Sequence, residues 1–144
     1  MKQLINNMLS PGTYPTHVNI ALLILRVVVG IFMLTHGIGK FQSLFGSEPI
    51  QFFDPLGIGP TPSLALAVFA EVFCAILLIF GLATRLAAIP LLTTMLVAGI
   101  IVHANDPFSA KELPLTFGLI HLTIAIIGAG RYSIDQLLMK NRTP

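Results

Sequence analysis

Apolar residues fall along this chain in four long runs separated by short polar punctuation, and neither a strand-like alternation nor a one-sided helical stripe interrupts them. A membrane-spanning helix needs about 20 mostly apolar residues. The runs that meet this length are residues 18–36, 63–83, 86–104 and 113–130. Only Thr84 and Arg85 separate the second run from the third, which predicts a tight antiparallel helical hairpin. A long loop, residues 37–62, joins the first two runs, and a short polar loop around Asn105, Asp106 and Pro107 joins the last two. The expected fold is all-α: an integral membrane four-helix bundle in which residues 1–144 make one transmembrane domain.

The first loop is too apolar for a freely solvated connection. Phe41-Gln42-Ser43-Leu44-Phe45 and Ile50-Gln51-Phe52-Phe53 alternate with Pro49, Pro55, Gly57, Gly59, Pro60 and Pro62, which break any long helix. The pattern predicts a short interfacial or re-entrant helix, either packed as a lid over the bundle mouth or lying on the outer membrane surface. Residues 1–9 and 132–140 are candidates for short interfacial helices at the two ends. The first apolar run follows a polar or mixed segment and is too long for the core of a cleavable signal, so none is expected.

Composition agrees with lipid as the solvent. Of 144 residues, 55% are apolar and only 10% charged, against about 25% charged in a soluble domain. Mean hydropathy is +0.88. The net charge of +2 is small and scattered, which excludes nucleic acid as a partner class. Four spans place both termini on one side of the membrane. That side carries Lys2, Arg85, Arg131, Lys140 and Arg142, against Lys40 and Lys111 opposite, which predicts both termini on the inner side of the membrane and the long first loop facing outward. Cys74 is the sole cysteine, so no internal disulfide and no CxxC pair exist. Within an apolar run it reads as a small hydrophobe.

Against this background the buried polar residues stand out. Arg26 lies ten residues from His36, Glu71 eight from Ser63, and His121 eight from Leu113. Counted from those span ends at 1.5 Å per residue, all three share one level. Each isolated charge at a helix centre costs about 2.5–3.5 kcal/mol, so Arg26 is expected to pair with Glu71, with His121 as a hydrogen-bonding third member. Such a set either fixes helix register or serves as a functional site, with Glu71 and His121 carrying protons and Arg26 holding an anionic or carbonyl oxygen. His36, Lys40 and His103 gather at the outer rim, where two histidines at one depth can ligate a metal or haem. The helices supply no further ligand set, so no metal is assigned, and a polar mouth admitting a quinone-like molecule is preferred. Gly30 and Gly37 follow Arg26 on roughly one face and permit close helix approach.

Three sequence blocks, in order, resemble the DoxX family of small four-helix bacterial membrane proteins, over about residues 22–135. They are R-x3-G-x5-HG-x2-K (Arg26, Gly30, His36, Gly37, Lys40), AE-x9-GL-x-TR (Ala70, Glu71, Gly81, Leu82, Thr84, Arg85) and G-x-GRYS-x-D (Gly128, Gly130, Arg131, Tyr132, Ser133, Asp135). The resemblance implies a role beside quinone-linked thiosulfate oxidation or within oxidative-stress complexes, with Arg26, Glu71 and His121 lining a quinone-like or other small-molecule pocket. The resulting expectation is a redox-linked, quinone-associated subunit in the inner membrane, with no intrinsic cofactor and a partner protein or a second copy of itself beside it. A non-catalytic scaffold or assembly partner is the alternative. A permeation unit is a further one, and four helices would conduct only as an oligomer.

Overall fold

A computed structural model describes residues 10–140. It contains α1 (Thr16–Phe45), α2 (Pro60–Phe80), α3 (Thr84–Val102), α4 (Phe108–Ile127) and the short α5 (Ile134–Lys140), and no strand among the described residues. The first four are long and apolar enough to cross a membrane. They form an antiparallel bundle whose centre is packed by Met33, Cys74, Ala75, Leu78, Ala88 and Leu91. The large side chains left uncovered, such as Ile24, Phe32, Phe73, Ile100 and Leu119, lie on the helix faces that lipid would coat.

The spans agree with the apolar runs, with one instructive difference. α1 does not stop at His36 but continues unbroken to Phe45. Glycine at 37 is no breaker here, because it lets α1 press against the α2 backbone: a Cβ at Gly37 would fall 2.8 Å from the Glu71 carbonyl oxygen. The predicted interfacial or re-entrant helix is accordingly absent. Its first half belongs to α1, and residues 46–59 form an irregular segment. Asp54 knots the end of that segment. Its carboxylate accepts the N–H groups of Ile58 (3.2 Å) and Gly59 (2.7 Å) and the Ser63 hydroxyl (2.6 Å). Pro60 then starts α2, where a missing N–H costs nothing. Residues 1–9, a candidate interfacial helix, lie outside the described residues, whereas the candidate at the other end is α5.

On the termini side the four helices are clasped by hydrogen bonds, several of them made by the segment from Gly128 to Asp135. α2 ends on Gly81 (φ 68), and α3 begins after Ala83 (φ 48), a residue with no side-chain acceptor to cap it. Asp135 supplies the missing cap from 51 residues away, accepting the N–H groups of Ala83 (2.7 Å) and Thr84 (3.0 Å). Arg85 ties the same end to the carbonyls of Ser10 (3.2 Å) and Ile127 (3.1 Å), and Asn19 accepts the N–H of Arg131 (2.7 Å).

Candidate functional site

Two of the spans carry a local change of helical winding. Phe69–Cys74 in α2 and Val97–Val102 in α3 are π-helical, each a place where the chain holds an extra residue per turn. Such segments are rare and occur frequently at functional sites, because they re-aim the side chains around them. Here the first contains Glu71 and the second delivers His103, whose N–H returns to the Ala98 carbonyl five residues back at 3.0 Å.

Glu71 is 1% exposed, and its partner is Lys40. The Lys40 Nζ donates to Oε1 at 2.5 Å and to Oε2 at 2.6 Å, reaching in from a position one-third exposed. This corrects the expected Arg26–Glu71 pairing. Gly37 is the α1 residue facing Glu71, and Arg26 lies eleven positions further along, or about 16 Å at the helical rise. The level assigned from the sequence was counted from His36 as the end of α1. With the helix running to Phe45, the shared level disappears.

Arg26 belongs instead to the termini-side clasp. It is 2% exposed, and its Nη2 donates to the Tyr132 carbonyl at 2.7 Å. Its Nη1 rests on Gly81, and the Asp135 charge acts on it. Its Nε and Nη1 have no hydrogen-bond partner among the described residues. His121 is fully buried on α4, and neither ring nitrogen is partnered among the described residues. It does not join Glu71. Phe117, one turn nearer the loop side, packs edge-on against Phe32 and His36 and lines the cavity that His121 does not reach.

The outer-rim residues are therefore the ones that meet Glu71. Three cavities converge on Lys40. A central one of about 420 Å³ is lined by His36, Lys40, Glu71 and His103 and reaches Met33 and Phe117 at its inner end. A groove of about 510 Å³ between α2 and α3 shares Lys40, Glu71 and His103 with it, and is walled by Phe69, Ile89, Val97 and by Phe52 and Phe53 of the first loop. A vestibule of about 750 Å³ lies between the end of α1 and the loop, with His36, Gln42, Ser43 and Glu48 in its wall. The site thus has a mainly apolar side, a polar side and a buried ion pair where they meet. Asp106, which sequence reasoning treated only as a loop residue, lies 2.7 Å from the His103 Nδ1. A carboxylate three residues after a histidine was the available signal. No group of three or more histidine, cysteine, aspartate or glutamate residues suited to a metal occurs among the described residues.

Fold and site together define a multi-pass helical protein of the bacterial inner membrane with a buried ion pair beside open, mainly apolar cavities at the loop side of its bundle. The chain belongs to the DoxX family, whose family model matches residues 21–104. It is 33% identical over 126 residues to "Putative oxidoreductase CatD" of Bacillus subtilis (strain 168), covering 85% of this chain and 90% of that protein. It is 29% identical over 126 residues to "Inner membrane protein YqjF" of Escherichia coli (strain K12), covering 85% and 95%. An uncharacterized membrane protein of Mycobacterium tuberculosis, Rv3486, is 32% identical over 136 residues, covering 83% and 82%. No solved structure matches the chain significantly.

Proposed function

We propose that the protein is a redox-linked subunit that binds a quinone-like lipophile in the groove between α2 and α3, with its polar ring against Lys40, Glu71 and His103. The observation that carries this reading is the groove itself: about 510 Å³, aromatic and aliphatic along its length, with charged and titratable side chains gathered at one end. Ligand pockets of this kind run to about 300–1,000 Å³, with a few placed polar groups. The residues fit a quinone ring. Lys40 has one ammonium N–H beyond the two given to Glu71, and can donate it to a ring oxygen. Glu71 and His103 can hold or take protons, while Phe52 and Phe53 shield the ring from the loop side. When bound, a quinone would supply the two-electron chemistry, with the electrons exchanged through a partner protein. The name of the Bacillus relative is in keeping with this reading.

The test is binding of decyl-ubiquinone and a menaquinone analogue to the full chain in lipid nanodiscs. Wild type should bind, and Glu71→Gln and Lys40→Met should each weaken binding about tenfold, as loss of one charge-assisted contact does. A protein that binds neither quinone, or whose binding ignores both substitutions, would overturn the assignment and favour a scaffold that only anchors a partner.

A further inference from the structure

The His103–Asp106 pair takes no part in either the termini-side clasp or the Lys40–Glu71 ion pair, yet the turn that carries it orients the histidine ring. The turn that follows α3 is tied at three points. Asp106 Oδ2 meets His103 Nδ1 at 2.7 Å, the Asp106 N–H returns to the His103 carbonyl at 3.1 Å, and Lys111 Nζ donates to the Ala104 carbonyl at 2.7 Å. The histidine ring held in this way lines both the groove and the central cavity.

A carboxylate on one imidazole nitrogen decides what the other nitrogen does. With the neutral ring donating Nδ1–H to Asp106, Nε2 is a lone-pair acceptor, and no described residue supplies it a donor. The other titratable groups facing this space are His36 and Lys40 from α1 and Glu71 from α2, while Glu112 of α4 is exposed. Of these, Lys40 is a donor only, and each Glu71 oxygen already accepts from Lys40, so the His103 Nε2 is an acceptor here that has no donor on it among the described residues.

We infer that Asp106 is a positioning residue that sets His103 as an acceptor, so that the site selects the hydroxyl-bearing, reduced form of an aromatic ring over its carbonyl form. This rests on the quinone-like reading above and specifies which redox form the site holds more tightly. A hydroquinone O–H would donate to His103 Nε2, while the ring's other oxygen takes the remaining N–H of Lys40. A quinone carbonyl in the same place would face a lone pair with a lone pair. A site built to take a hydrogen bond disfavours an analogue that cannot give one.

The experiment uses the full chain in anaerobic nanodiscs at pH 8, above the ordinary histidine range. Its probes are decyl-ubiquinol, decyl-ubiquinone and the di-O-methyl ether of the quinol. Wild type should bind the quinol about tenfold more tightly than the other two. Asp106→Asn should lower that preference to about threefold or less, weakening quinol binding and strengthening quinone binding, because an amide no longer holds one tautomer and the Nε2–H form can donate to a carbonyl. Asp106 is half exposed, so the variant should fold. Nitrogen NMR of histidine-labelled protein should show His103 protonated at Nδ1 in wild type and as a tautomer mixture in Asp106→Asn. Equal affinity for quinol and quinone in wild type, a preference that survives Asp106→Asn, or a proton on Nε2 would each overturn this inference alone. Binding of none of the three probes would overturn the quinone-like reading and this inference with it.

Discussion

Gly81→Ala tests whether the termini-side clasp is built around the buried arginine. A Cβ at Gly81 would land on Arg26 Nη1, and would lie 2.7 Å from Arg26 Cζ and 2.6 Å from Ser133 Cβ. The backbone there is left-handed (φ 68), which costs an alanine about 1 kcal/mol or somewhat more. Forcing a methyl group into a filled site adds about 1–3 kcal/mol. The guanidinium has little freedom to give way, because Nη2 is held by the Tyr132 carbonyl at 2.7 Å and the side chain is 2% exposed. The expected loss is therefore about 3 kcal/mol, most of it from the clash rather than the backbone. The share owed to Arg26 separates in an Arg26→Met background. There the methyl group meets a flexible thioether in place of the guanidinium, so Gly81→Ala should cost about 1 kcal/mol less, the backbone term and the contact with Ser133 Cβ remaining. The assay is reversible unfolding of all four proteins in mixed micelles of dodecyl maltoside and SDS, followed by far-ultraviolet circular dichroism. An equal cost of Gly81→Ala in both backgrounds would show that Arg26 does not lean on Gly81, and the account of the clasp would fail.

Two further outcomes are expected. Lys40→Met strands a 1%-exposed carboxylate and should cost about 3 kcal/mol, the low end of the range for a broken buried pair because Lys40 is partly wetted. Adding Glu71→Met should bring stability back to within about 1 kcal/mol of wild type, and a double variant as unstable as the single one would contradict the pairing. The hydrogen bond from the Ser63 hydroxyl, with help from the Gly59 and Ile58 amides, holds the Asp54 carboxyl below its ordinary value of 3.8. A carboxyl lowered on folding stabilises fully above the unfolded value, and that contribution fades as pH falls through the folded one. Amide exchange in residues 46–59, corrected for intrinsic rate, should therefore accelerate below about pH 4 in wild type but show no such step in Asp54→Asn. A step of the same size in both would remove Asp54 from the account of the loop.

The architecture was legible because lipid imposes a simple demand. Four apolar runs of sufficient length, two of them nearly touching at Thr84 and Arg85, leave few alternatives to an antiparallel bundle. Glu71, His36, Lys40 and His103 were all visible as polar exceptions in that pattern, but their grouping was not. Depth counting depends on knowing where each helix ends, and the apolar run stops at His36 while α1 continues to Phe45, with Gly37, the expected point of close approach, inside it. Nine extra residues moved Arg26 away from Glu71 and brought Lys40 to it. The role of Asp135 was hidden for a different reason: it caps a helix 51 residues distant, and the need for that cap arises from Ala83, which gives no sign of it in the sequence. The π-helical segments were equally silent, since FAEVFC and VAGIIV are ordinary helical composition.

Those two segments divide the molecule into parts with different tolerances. Each is, in effect, a single inserted residue accommodated without breaking the span. A chain lacking one residue in each would keep the Arg26, Gly81 and Asp135 clasp, since Gly81 lies beyond the insertion on α2, Thr84 before the one on α3, and Arg26 and Asp135 on α1 and α5. Glu71 and His103 would turn away from Lys40. The bundle and its site are thus separable by single-codon events, so a chain of this architecture can lose or regain its polar centre while remaining a well-folded membrane protein.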